Sequence, residues 1–298
     1  MNRRLFLATG AAFAAASVFK PRLSLAAEAA KPRVIGKAIM YATIGVKGSV
    51  LEKLQAVKAA GFEGVELMGG MAQDEVVAAL ENTGLKAASV CGHLHWAKPL
   101  SSPNPEVRKV GLEGVVQTIR DAKRYGATSI LIVPGVARDG VTYEQCWERT
   151  IAELRKALPA AEETGVTIAI ENVWNDFITK EDEAARYLDE INHPLVKWHF
   201  DIGNIISYGD PIAWINKLGK RISRLHIKEF SRDLAMKHND RGRGFSAKFL
   251  EGANNWPGIM KALDAIGYSS WAITEQGGGG TPEGLKDLSD RLSKILAS

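Results

Sequence analysis

The chain has 298 residues, 46% of them hydrophobic and 24% charged, with a formal net charge of +4. That is an ordinary globular composition, long enough for one large domain or two small ones. Residues 1–30 carry Arg3, Arg4, Lys20 and Arg22 against Glu28, a net +3, which leaves +1 for the remainder and excludes a nucleic-acid partner argued from charge.

The first segment has the regional order of an export signal. Arg3 and Arg4 come first, then an Ala-rich apolar stretch, AAFAAASVF, then small residues around Ala26–Ala30. It resembles a twin-arginine signal, with Asn2 where Ser or Thr is more usual. The apolar stretch is too short and too Ala-rich to span a bilayer comfortably, so no stable membrane anchor is expected. The expected address is periplasmic or otherwise extracytoplasmic, with residues 31–298 as the working domain. An N-terminal tail is the competing reading. Cys91 and Cys146 are expected as buried thiols rather than a disulfide, given a large core.

From residue 33 onward, short apolar runs alternate with longer helical patterns. The runs are RVIGKAIMY (33–41), FEGVEL (62–67), LKAASVCGH (85–93), TSILIVP (128–134), TIAIEN (167–172), VKWHFD (196–201), ISRLHIKEF (222–230) and WAITEQ (271–276). Helical patterns lie near 49–60, 73–83, 105–125, 142–164, 180–191, 210–218, 256–266 and 281–297. Asp210-Pro211 and Thr281-Pro282 each set a capping side chain before a helix-initiating proline. Gly61, Gly84, Gly126, Gly165 and Gly267 stand where helices need a left-handed end. Eight strand–helix units in this length predict a single-domain (β/α)8 TIM barrel. A doubly wound open sheet is the alternative, weakened because no Gly-rich dinucleotide fingerprint follows the first strand.

In such a barrel, chemistry sits at the C-terminal ends of the strands. The fifth run ends in Glu171, the sixth in Asp201 and the eighth in Glu275, while the seventh carries His226 and Lys228 on one face. Three bare carboxylates meeting at one mouth repel one another and pay heavily for desolvation. One divalent cation held by Glu171, Asp201, His226 and Glu275 removes that cost. The oxygen-rich donor set suits Mn²⁺ first, then Co²⁺, Mg²⁺ or Zn²⁺. Taken singly, each acid also reads as an ion-pair partner or a helix cap.

The motifs TIAIEN, WHFDIGN, RLHIKEF and WAITEQ resemble those of the sugar isomerase and epimerase family with the xylose-isomerase-like barrel, over the whole chain from about residue 33. The resemblance implies that Glu171, Asp201, His226 and Glu275 bind one divalent ion and that Glu171 and Glu275 act as paired acid and base. The expected activity is isomerisation or epimerisation of a non-phosphorylated keto sugar through an enediolate, the small-molecule carbohydrate being the partner. Keto-sugar epimerases of the family often have His three positions after the Asp. Here that position is Asn204, which orients a hydroxyl but shuttles no proton. A lyase or hydratase acting on oxidised (3-keto) sugars or glycosides, and a non-catalytic carbohydrate-binding barrel, are the competing readings. A DNA-repair endonuclease on this barrel would want a richer histidine set.

Other residues are read as substrate contacts. His93 ends the third run, with His95 and Trp96 just beyond, and Trp174 offers an apolar face to a sugar ring. Glu66 ends the second run and either meets substrate or holds Lys228. Lys228 neutralises a developing oxyanion or forms a structural ion pair. His199 shares the parity of Asp201 but lies deeper. The long segment Ser231–Asn255 reads as a lid, a solvated excursion or a homo-oligomer contact. The run Gly277–Gly280 reads as a hinge in preference to a phosphate cradle.

Overall fold

The computed structural model describes residues 34–298, so the export segment expected at 1–30 lies outside the described residues. Eight parallel strands follow one another around a closed barrel, with β1 and β8 completing the circle. They are β1 (Gly36–Met40), β2 (Gly64–Met68), β3 (Lys86–Cys91), β4 (Ser129–Ile132), β5 (Thr167–Glu171), β6 (Val196–Asp201), β7 (Ile222–Ile227) and β8 (Trp271–Thr274). The principal outer helices are α1 (Val50–Ala59), α2 (Gln73–Thr83), α3 (Pro105–Tyr125), α4 (Tyr143–Thr164) and α5 (Glu181–Ile191). After a single turn, α6 (Ile202–Ile206), comes α7 (Pro211–Leu218); a short α8 (Arg232–His238) precedes α9 (Trp256–Ala265) and α10 (Pro282–Leu296).

Local chemistry sets the helix limits. Ser49 and Glu52 form a capping box at α1, and Thr142 and Gln145 form another at α4. Asp210 and Thr281 cap α7 and α10, each with proline just inside, as the sequence predicts. Gly84 and Gly126 close α2 and α3 at φ 66° and 77°, where a side chain would be strained.

Strand alternation divides the core. On β6, Trp198 and Phe200 join the large layer between sheet and helices, while His199 and Asp201 take the opposite face, toward the axis. The axial apolar cluster is small, built on Ala38, Met40, Ala88, Cys91, Leu131 and Ile273. The N-terminal end of the barrel is closed by Arg224, whose guanidinium donates to Ala88 O, Ser223 O, Ser270 Oγ and Thr128 Oγ1 at 2.7–2.8 Å.

Two register shifts position the site. Between β6 and β7, Trp198 pairs with Ile222 but His199 pairs with Arg224, which leaves Ser223 unmatched. Without that shift Asp201 would stand beside Leu225, a residue of the outer layer; with it, Asp201 stands beside His226. A matching shift between β2 and β3 sets Glu66 against Ser89.

Three details differ from the sequence-based expectation or resolve it. The seventh strand stops at Ile227, so Lys228, Glu229 and Phe230 already belong to the following connection. The glycine run at 277–280 is no free hinge: Gly45 N donates to Gly279 O at 2.9 Å, and a Cβ on Gly45 would sit 2.9 Å from Gly280 Cα. Cys91 and Cys146 are both buried and unpaired.

Candidate metal centre

Glu171, Asp201, His226 and Glu275 present one ligand atom each, all within 4.8 Å of one another, at the C-terminal end of the barrel. Three come from the ends of β5, β6 and β7, and Glu275 stands one residue past β8. His226 is central. Its Nδ1 lies 2.9 Å from Glu171 Oε1, 3.1 Å from Glu275 Oε2 and 4.0 Å from Asp201 Oδ2. Asp201 divides its oxygens: Oδ1 accepts from Asn204 N at 2.8 Å, capping α6, which leaves Oδ2 for the site.

Asn172 fixes the distance between β5 and β6. Its Oδ1 accepts from Trp198 Nε1 and Asp201 N, and its Nδ2 donates to Asp201 O at 2.7 Å. Asn204 Nδ2 donates to Asn172 O at 3.0 Å, so one amide hydrogen of Asn204 joins this clamp while the residue borders the cavity. The clamp spans 29 residues of chain and has no local signal in the sequence.

Lys228 Nζ lies 3.1 Å from Asp201 Oδ2 and 2.7 Å from Glu275 Oε2. Both oxygens are buried and sit at ion-pair distance but off the hydrogen-bonding direction. Burial opposes the ammonium charge, yet Asp201 and Glu275 outweigh it and hold the lysine pKa well above its usual range. Burial pushes the Glu171 carboxyl up to about 7, against the pull of His226, and the Asp201 carboxyl up to about 6, against Lys228. Burial acts on Glu275 the same way, but there Lys228 and His226 prevail and hold the group well below the ordinary carboxylate range.

Above this cluster opens a cavity of about 250 Å³. Its walls include Trp174, Asn204, Lys228 and Phe245, with His95 and Trp96 on the opposite rim. Trp174 Nε1 donates to Asn204 O at 3.0 Å, its ring lies 4.8 Å from that of Phe245, and Arg241 stacks on it at 3.8 Å.

Two expected substrate contacts are placed elsewhere. Glu66 is fully buried beneath His226, with Oε2 2.8 Å from His226 Nε2, and neither borders the cavity nor holds Lys228. His93 packs over Gly69 and Gly70, where a Cβ on Gly69 would come within 2.7 Å of its Nδ1, and its neighbour His95 borders the cavity instead. His95 Nδ1 accepts from Val133 N at 3.3 Å, while burial, then the nearby His93, push its pKa down to about 4 and keep the ring neutral. A turn of two residues after β3 decides which histidine faces inward, and no periodicity governs such a turn.

The segment Ser231–Asn255 supplies Phe245 to the cavity wall. Gln276 Nε2 holds it there by donating to Phe245 O and Ala247 O at 2.9 and 2.7 Å, while Gln276 Oε1 accepts from Glu229 N at 2.7 Å. The buried Glu229 carboxylate accepts from Leu250 N, Asn254 N and Trp256 Nε1.

Residues 54–295 match the family model described as xylose isomerase-like TIM barrel. An L-ribulose-5-phosphate 3-epimerase of Salmonella paratyphi A is 26% identical over 201 residues, 60% of this chain and 68% of that protein. An inosose dehydratase of Clostridium beijerinckii is 28% identical over 141 residues, 44% of this chain and 47% of that protein, so the match spans about half of the relative. The solved 3-keto-D-glucoside 4-epimerase YcjR of E. coli superposes with a TM-score of 0.72 at 18% identity, covering 89% of this chain and 100% of the other, a likeness of fold. With the matched segment spanning most of the barrel and the strand ends bearing one cluster of ligands, the chain belongs to the xylose isomerase-like TIM barrel family.

Proposed function

We propose that this protein is a divalent-metal-dependent isomerase or epimerase of a non-phosphorylated keto sugar. One observation carries the reading: Glu171, Asp201, His226 and Glu275 converge within 4.8 Å below a cavity of monosaccharide scale. The residues fit a hard or borderline divalent ion. Three carboxylates and an imidazole face one point, and the buried Asp201 Oδ2 and Glu275 Oε2 make only ion-pair contacts there, to Lys228 and His226. Mn²⁺ is the favoured ion. When bound, it would polarise a carbonyl and the adjacent hydroxyl and so acidify the hydrogen on the hydroxyl-bearing carbon.

The chain's own residues do the rest. Glu171 and Glu275 both border the cavity beside His226, and one takes the α-proton while the other returns one. Return to the same carbon from the other face gives the epimer, and return to the neighbouring carbon gives the isomer. Lys228 places a positive charge where oxygen gains negative charge. Trp174 and Phe245 give the sugar ring an apolar wall and exclude water. Lys228 is the single lysine or arginine bordering the cavity among the described residues, and it is already paired with two carboxylates, which favours a neutral sugar over its phosphate.

Asn204 favours a second reading. Its amide is tied to Asn172 and moves no proton, and one relative is named a dehydratase. Loss of a β-substituent after the same proton abstraction would make the protein a lyase or hydratase of oxidised sugars or glycosides. One assay separates the readings: protein loaded with Mn²⁺ is offered keto sugars and 3-keto glycosides in D₂O and followed by NMR. Deuterium beside the carbonyl in an intact skeleton supports isomerisation or epimerisation. Release of an aglycone, or gain or loss of water, supports the second. Saturable binding without exchange would sink both and leave a binding protein. The N-terminal segment is proposed to export the protein; replacing Arg3 and Arg4 by Lys should retain it in the cytoplasmic fraction, and unchanged fractionation would refute this.

A further inference from the structure

We propose that Glu66 is a positioning residue that decides which nitrogen of His226 faces the metal pocket, an inference that rests on the metal reading above. The His226 ring stands between two sets of acids. Nδ1 looks up toward Glu171 and Glu275 at 2.9 and 3.1 Å, and Nε2 looks down to Glu66 Oε2 at 2.8 Å. With an ion held at Nδ1, the ring proton would sit on Nε2 and donate to Glu66, which fixes the ring with Nδ1 toward the pocket.

The surroundings make Glu66 the effective partner. It is fully enclosed, as is His199, whose two ring nitrogens have no hydrogen-bond partner among the described residues. His199 packs edge-on against His226 at 4.3 Å, blocking rotation of the ring, and its Nε2 is 3.9 Å from Glu66 Oε1, beyond a hydrogen bond. On its own strand Glu66 stands between Met40 of β1 and, through the β2–β3 register shift, Ser89 of β3. A partner that orients a metal-bound histidine typically changes metal affinity by about ten- to a hundredfold.

Glu66, His199 and His226 also bring three ligand atoms within 4.8 Å of one another, so a second ion is the rival account. The test uses the full chain. Mn²⁺ is titrated into wild type and Glu66→Gln by calorimetry, with bound metal counted by elemental analysis. Histidine ¹⁵N NMR of the Zn²⁺-loaded wild type reads the tautomer directly and needs no variant. One ion per wild-type chain, an affinity about ten- to a hundredfold weaker in Glu66→Gln, and a proton on His226 Nε2 are expected. Equal affinity in the variant, a proton on Nδ1, or two ions per wild-type chain with one lost in the variant would each overturn the positioning role and leave the main site standing. A wild type that takes no ion overturns the metal reading and this role together.

Discussion

Two glutamates at one site differ because of what stands beside them. Lys228 and His226 hold Glu275 ionised, while burial keeps Glu171 near neutrality. Glu275→Gln should therefore cost about 10²–10⁴-fold in kcat, the usual worth of a positioned proton-transfer group, with the circular-dichroism spectrum unchanged. Full activity in that variant would refute the assignment. Asn172 acts on structure. Removing its amide strands Trp198 Nε1 and Asp201 N in a buried setting, so Asn172→Ala should lose about 1–3 kcal/mol per stranded group in urea unfolding. A loss under about 0.5 kcal/mol would mean that water replaces the clamp.

The connection after β7 is the element that shapes the cavity. Its length suggests a lid, but it is tethered at several points by Glu229 and Gln276. Glu229→Gln places an amide where backbone and indole N–H groups already point. Trypsin should then cut faster in Ser231–Asn255, after Lys237, Arg241 or Arg243, at a stability cost of about 1–3 kcal/mol. Equal cutting rates would show that the tether does not restrain the loop. The Trp174–Phe245 wall depends on that restraint, so KM should rise with the cutting rate.

Across the whole molecule the metal-free site stores unfavourable charge, and pH exposes it. Glu171 and Asp201 have folded pKa values of about 7 and 6, above the ordinary range of an unfolded carboxyl. Each binds its proton more tightly when folded, so the stability it contributes is present at low pH and lost as pH rises to about 7. His226 and Lys228, also raised, act in the same sense, while the depressed Glu275 contributes fully once pH exceeds the unfolded carboxyl range. An ion at the proposed site would replace those protons. Mn²⁺ at a hundred times its Kd should stabilise by about 2.7 kcal/mol, and at fixed concentration the rise in Tm should be larger at pH 8 than at pH 5. A rise that is larger at pH 5 would contradict the ligand set.

Chain order and local periodicity alone determined the eight strand–helix units, the capped starts at Asp210 and Thr281, and the four strand ends that bear Glu171, Asp201, His226 and Glu275, because each depends on residues a few positions apart. The partners depend on contacts across the barrel. Glu66 meets His226 across 160 residues, Asp201 meets His226 only through an unmatched Ser223, and the turn after β3 sends His95 rather than His93 toward the cavity. Closure of the sheet decided those, since register and ring-facing direction are set by hydrogen bonds between strands that no short stretch of sequence encodes.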